Sequence, residues 1–145
     1  MIISAIEMFT ILVKGGLGMQ GEPLGGAQYV TITGGSTDLI VFRIQPCLGA
    51  SLTNYPEGVG LESVNSPGFY FRHKRSVIYI TSTTQRTTTY DADTCWYLKD
   101  SLEHPGYVEI VPVNFNTRKV VYKAASNTFE TEETSVSASY FLNKL

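Results

Sequence analysis

The sequence is poor in the residues that build metal sites, covalent frameworks and charged interfaces. Of its 145 residues, two are Cys, two are His and one is Trp. There is no CxxC pair and no His pair at ligand spacing, which excludes the usual zinc sites. Two cysteines also fall short of the disulfide frameworks of small secreted domains. Charge is sparse: 17% of residues are Asp, Glu, Lys or Arg and the formal net charge is −2. That balance lacks the basic excess of a nucleic-acid binder. The 43% hydrophobic content is too high for a disordered chain. No run approaches the ~18 apolar residues of a membrane-spanning helix. No Asn-x-Ser/Thr sequon, Gly-rich nucleotide fingerprint or Gly-x-Ser-x-Gly elbow occurs, and no order of Ser, His and Asp singles out a triad. The chain reads as no enzyme, with no cofactor and no metal.

What is present favours strands. There are 16 Thr, 12 Ser, 13 Gly and 9 Tyr; Thr and Tyr suit pleated surfaces and Gly supplies turns. Short β-favouring runs recur at Tyr29–Ile32, Leu39–Phe42, Val77–Ile80, Tyr107–Val111 and Lys119–Tyr122. Between them stand Gly34-Gly35, Asn54-Tyr-Pro56, Ser66-Pro-Gly68, His104-Pro-Gly106 and Ser126-Asn127. Evenly spaced short strands with turn signals mean an all-β sandwich or barrel. The N-terminal MIISAIEMFTILVKGG has no Lys or Arg before its apolar run and is interrupted by Glu7. It departs from a signal peptide on both counts, so Met8 to Val13 reads as a buried first strand.

Internal repetition narrows the choice. The strands starting at Tyr29, Val77 and Tyr122 step by 48 and 45 residues, and Cys47, Cys95 and Tyr140 each follow 18 residues later. Leu48, Trp96 and Phe141 then align as apolar positions, with Trp96 and Phe141 expected in the core. Three units of about 45 residues (8–56, 57–105 and 106–145) in one domain are the pattern of a β-trefoil, where threefold closure buries faces that no unit buries alone. A Greek-key sandwich, which needs no such repeat, is the alternative. Cys47 and Cys95 fall at equivalent positions on different lobes, so two free, buried thiols are expected rather than a bridge.

The middle unit reads Leu61-Glu-Ser-Val-Asn-Ser-Pro-Gly-Phe-Tyr-Phe-Arg-His73, then the strand Val77 to Ile80, then Tyr90-Asp-Ala-Asp-Thr-Cys-Trp96. From Gly60 to Leu102 this resembles the arabinofuranosidase B family of β-trefoil carbohydrate-binding modules, family 42. Ser63-Val-Asn-Ser-Pro-Gly68 departs from the family pattern only by Ser66 for the usual Tyr. Phe71-Arg-His73 keeps the Arg-His pair, and Tyr90 to Trp96 keeps the aromatic-x-x-Asp-x-x-aromatic frame. The resemblance implies a shallow pocket for an arabinofuranose side group in each repeat. It assigns sugar contacts to His73 and Asp93, with Tyr70 or Asn65 beside them, and implies an extracellular setting. The chemistry is apt, because a carboxylate accepts from paired hydroxyls and an imidazole donates or accepts.

The same register leaves the other units incomplete. Gln45 stands at the Asp position of the first and Ala138 at that of the third, and neither unit has the His. At most one sugar pocket, in the second repeat, is expected. Arg72-His-Lys-Arg75 is a basic cluster, read as a solvated loop or a contact for an anionic partner. Against the lectin-like reading, with an arabinose-containing or other glycan as partner, stands a structural or protein-interaction trefoil. That alternative would have lost sugar binding and would use a protein partner or self-assembly. No nucleic acid and no membrane span enter either reading.

Overall fold

A computed structural model describes residues 8–13, 16–24, 27–34 and 39–145. The N-terminal residues 1–7, Lys14 and Gly35 lie outside the described residues. The described residues form twelve strands: β1 (Met8–Val13), β2 (Gly18–Leu24), β3 (Ala27–Thr33), β4 (Phe42–Pro46), β5 (Val59–Ser63), β6 (Phe69–Lys74), β7 (Val77–Ser82), β8 (Cys95–Asp100), β9 (Val108–Pro112), β10 (Lys119–Lys123), β11 (Thr128–Glu132) and β12 (Tyr140–Lys144). Two short helices, α1 (Ser51–Asn54) and α2 (Thr88–Asp93), sit in the connections. The buried β1 expected from the apolar run has the bounds read from the sequence.

Six strands close a barrel through antiparallel pairs: β1 with β4, β4 with β5, β5 with β8, β8 with β9, β9 with β12, and β12 back to β1. The hairpins β2–β3, β6–β7 and β10–β11 cap one end, joined by β3 against β7 and β7 against β11. Closure leaves no barrel strand with an unpaired edge. This is the all-β, pseudo-threefold β-trefoil that the repeats anticipated.

The register shows which residues are true counterparts. Ile11, Leu61 and Ile110 lie opposite Leu142, Ile44 and Leu98. Two residues along, Phe42, Trp96 and Tyr140 face Ser63, Pro112 and Val13 and fill one buried layer. Met19, Phe71 and Val120 form the next layer, and Val30, Ile78 and Phe129 a third. Polar bonds repeat as well: Trp96 Nε1 donates to the Phe71 carbonyl at 2.9 Å and the Tyr140 hydroxyl to the Val120 carbonyl at 3.0 Å. An indole N–H and a phenol thus meet the same buried demand, and burial raises the Tyr140 phenol's pKa.

Two expectations about register are corrected here. Tyr122 lies in β10, and the counterpart of Tyr29 and Val77 is Thr128. The counterparts of Trp96 are Phe42 and Tyr140, not Leu48 and Phe141; Phe141 is 39% exposed and not core. The cause is loop length. The β7–β8 connection carries a 3-10 turn (Thr83–Gln85) and α2 and is longer than the connections from Thr33 to Phe42 and from Glu132 to Tyr140. A constant step through these unequal loops slides onto the wrong residue.

The expectation of free thiols is overturned for the same reason. Cys47 and Cys95 form a disulfide with a Cα–Cα distance of 5.3 Å. Strands β4 and β8 flank β5, with Pro46 opposite Val59 and Cys95 opposite Gly60. Cys47 leaves the end of β4 where Cys95 opens β8, so the two are neighbours across β5 rather than threefold mates. Gly58 makes room for the bridge: a Cβ there would lie 2.6 Å from Cys95 Sγ and 3.2 Å from Cys47 Sγ.

Candidate functional site

Near the end of strand β6, Arg72 and His73 are both buried and both reach Asp93 of α2. Helix α2 is fixed at both ends. Thr87 Oγ1 accepts from the Tyr90 amide at 3.1 Å, an N-cap. At the other end Thr94 Oγ1 donates to the Tyr90 carbonyl at 2.9 Å. The Tyr90 hydroxyl donates to the Thr81 carbonyl at 2.7 Å, and burial pushes that phenol up to about 12. Asp93 therefore arrives, buried, at a fixed place against β6.

The Asp93 carboxylate is held by three groups. Arg72 Nη2 donates to Oδ2 at 3.2 Å and Arg72 Nε at 3.4 Å, and Asn114 Nδ2 donates to Oδ1 at 3.0 Å. The Arg72 guanidinium also lies over the Tyr90 ring, 5.0 Å from its centroid. His73 Nε2 is 2.8 Å from Asn114 Oδ1 and 3.6 Å from Asp93 Oδ1. These contacts determine the tautomer. A carboxylate only accepts, so the Asn114 amide nitrogen faces Asp93, its oxygen faces His73, and the imidazole carries its proton on Nε2. In the neutral ring Nδ1 is then the acceptor. His73 has its pKa lowered by burial, which outweighs the pull of Asp93 and of the Asn114 bond, and Arg72 and Arg118 lower it further. The ring is neutral at pH 7.

Around this cluster opens a cavity of about 370 Å³, lined by His73, Asp93, Phe115 and Arg118 among others. The Phe115 ring is 55% exposed and meets His73 edge-on at 5.8 Å, while Trp96 supports the imidazole from the core side at 5.4 Å. A neutral imidazole, a neutralised carboxylate and an open aromatic face are suited to a polyhydroxylated ligand with an apolar side. Among the described residues no cluster of three His, Cys, Asp or Glu fits a metal ion, and no helix is long and apolar enough to cross a membrane.

Of the four residues singled out in the sequence, His73 and Asp93 meet at this cavity; Tyr70 and Asn65 do not. Tyr70 is buried at the far end of β6, where its ring packs against Gly60; burial, with the Glu62 charge, raises its pKa. Asn65 accepts from the Val41 amide at 2.7 Å and lines a separate cavity of about 170 Å³ with Gly21 and Leu39. The residue that sequence reasoning passed over is Asn114. Since Ser63 and Pro112 are counterparts, Asn65 and Asn114 are too. In the first and second units the asparagine thus comes from the following repeat. The Val64-Asn65 and Val113-Asn114 pairs were the available signal.

The register also revises the first and third units. The position of His73 is held by Gly21 and Tyr122, and that of Asp93 by Leu39 and Ser137 rather than by Gln45 and Ala138. The third depression is a cavity of about 630 Å³ lined by Leu17, Val121, Tyr122, Val136 and Tyr140, with His104 and Glu132. It holds no counterpart of the Arg72–Asp93 pair.

Comparison with known proteins agrees with this frame. Residues 42–98 match the family model of the alpha-L-arabinofuranosidase B (ABFB) domain. A search of curated proteins gives no match. Among solved structures, the BEL β-trefoil superposes with a TM-score of 0.76 at 10% identity, covering 100% of this chain and 97% of that one. A mutant GH54 a-l-arabinofuranosidase soaked with 4-nitrophenyl a-l-arabinofuranoside gives 0.72 at 15% identity, with 99% of this chain and 32% of the enzyme covered. SeviL bound to asialo-GM1 saccharide gives 0.68 at 13% identity, with 96% and 98% covered. The chain is a β-trefoil whose middle part, residues 42–98, carries the arabinofuranosidase B-domain pattern.

Proposed function

We propose that this chain is a non-catalytic, lectin-like carbohydrate-binding module with one working sugar pocket, in the second repeat. The observation that carries the reading is the convergence of His73 and Asp93, bridged by Asn114, on one cavity that the exposed Phe115 ring also lines. His73 Nδ1 accepts from a sugar hydroxyl, the remaining lone pair of Asp93 accepts from another, and Phe115 covers the apolar sugar face. The likeness to the ABFB domain and to a lectin captured with a saccharide supports a glycan as ligand, and an arabinofuranose group is the first candidate. With the first and third positions changed, avidity from several pockets on one polymer is lost. Two or three charge-assisted or neutral hydrogen bonds then leave affinity on the order of 1 mM for a single sugar.

The test is a glycan array that includes arabinoxylan and arabinan, run with wild type and Phe115→Ala. The exposed ring can be removed without opening the core. Binding that drops about tenfold in the variant, with an unchanged melting temperature, supports the site. Retention of wild-type binding by Phe115→Ala, or no glycan bound by either protein, refutes it.

A further inference from the structure

We propose that the second-repeat pocket selects a negatively charged sugar, a uronic acid or a sulfated residue, over a neutral one. The inference rests on the glycan reading above and concerns which sugars the same pocket prefers.

Charge within the pocket wall is unbalanced. Four cations (Arg72, Lys74, Arg75 and Arg118) line it against one carboxylate, Asp93. Arg72 and Asp93 are consumed by each other in a buried pair. Lys74 and Arg75 are exposed, and among the described residues neither forms a salt bridge. Arg118 is half-buried and, among the described residues, is anchored only by neutral acceptors. Its Nε donates to Thr131 Oγ1 at 3.2 Å, and Nη2 donates to the Thr131 carbonyl at 2.6 Å and to Ser76 Oγ at 3.2 Å. These bonds fix the guanidinium without neutralising it and leave the Nη1 donors uncommitted. Three positive charges therefore surround the opening with no counter-ion of their own, an arrangement that an anionic ligand relieves.

The backbone supplies a second observation. The β6–β7 hairpin turns through Arg75 and Ser76, both with positive φ, 52° and 66°. A two-residue turn of this hand is most easily made by Asn-Gly. Side chains at such positions impose a conformational cost, yet this chain has a basic and a hydroxyl residue there. The turn is braced at the Ser76 carbonyl, which accepts from the Thr131 amide at 2.7 Å, and at Ser76 Oγ by Arg118. The strain thus holds Arg75 at the cavity wall and ties the turn to the cation beside it. In the third depression, the positions of Arg72 and His73 are Val121 and Tyr122, and among the described residues no Lys or Arg is in the lining.

The experiment is an amide-resolved NMR titration at low salt with methyl β-glucuronide, methyl β-glucoside, methyl α-arabinofuranoside and sodium sulfate. The expected result is glucuronide binding about tenfold tighter than either neutral sugar, one charge-assisted contact's worth. Shifts should centre on His73, Phe115 and Arg118, and the preference should shrink as salt is raised. In Lys74→Gln/Arg75→Gln, with folding checked by thermal melt, the preference for glucuronide over the neutral sugars should shrink severalfold, with Arg118 carrying what remains. Equal affinity of the wild type for glucuronide and glucoside, or a preference undiminished in the double variant, overturns the charge selection while leaving the sugar site standing. Sulfate binding as tightly as glucuronide overturns it too, by showing an anion site indifferent to the sugar. No shift with any sugar overturns the glycan reading itself.

Discussion

The Arg72–Asp93 pair gives the most demanding test of this structure. Their side chains are 8% and 9% exposed and their charged atoms are 3.2 Å apart. Removing one partner of such a pair leaves an uncompensated charge in a desolvated place and costs about 3–5 kcal/mol. Asp93→Ala should therefore lose about that much, since Arg72 is held over Tyr90 and has no other carboxylate within salt-bridge distance among the described residues. Asn114 would lose its amide acceptor in the same step. Asp93→Asn keeps the shape and one acceptor oxygen and should cost less. Replacing both partners with apolar residues, Arg72→Met with Asp93→Leu, should recover most of the loss, because desolvation offsets the attraction of the native pair. Urea unfolding of the four proteins measures all of this. A loss below about 1 kcal/mol for Asp93→Ala, the size expected for an exposed pair, would refute the buried arrangement. The magnitude also bears on ligand assays. A domain stable by about 5–15 kcal/mol can be partly unfolded by Asp93→Ala, so sugar binding is better probed at Phe115.

Reducing the Cys47–Cys95 bridge, or replacing both residues with Ser, should destabilise the chain by about 4 kcal/mol, from the chain-entropy relation for a closed loop spanning 48 residues. Denaturant midpoints with and without reductant give the value, and a thiol assay on the denatured, unreduced protein should find no free thiol. Gly58→Ala should cost about 1–3 kcal/mol through overpacking, since its Cβ would press on both sulfurs and on the Tyr55 carbonyl. A thermal melt at neutral pH would show the loss. His73 produces a pH dependence of defined sign. Its folded pKa lies below the ordinary 6.5, so the unfolded chain binds the extra proton first as pH falls. Stability from this group is complete above 6.5 and declines from there downward through the folded pKa. His73→Gln should flatten the slope of unfolding free energy between pH 7 and 5, and an unchanged slope would contradict the burial of the ring.

The sequence made the middle of the chain legible and blurred both flanks, for physical reasons. Strand β1 was readable because Met8 to Val13 is apolar at every position but Thr10 and stands between Glu7 and Lys14. His73 and Asp93 were readable because the strand, connection and helix between them follow a pattern with few departures. The first and third repeats were misread in register. Phe42, Trp96 and Tyr140 share a layer but differ in size and polarity, and the connections before them differ in length. A period-two pattern then gives no warning of a slip. The disulfide was missed as a direct consequence, since a false equivalence set the two cysteines apart. Asn114 was missed because proximity in space crosses from one repeat to the next, 41 residues beyond His73.

That crossing means the unit that folds and the unit that binds are out of phase along the chain. The four strands of the second lobe run from Val59 to Asp100, while the pocket runs from Arg72 to Thr131. A lobe excised or transplanted by its strand boundaries would carry the imidazole and the carboxylate away from the asparagine that orients them. It would also leave behind the exposed Phe115 ring that lines the same cavity. Duplication of a lobe copies half of one pocket and half of the next. Each new pocket is then a junction whose two sides change independently. A single substitution on either side, such as Leu39 or Ser137 at the carboxylate position, retires one junction and leaves its neighbours intact.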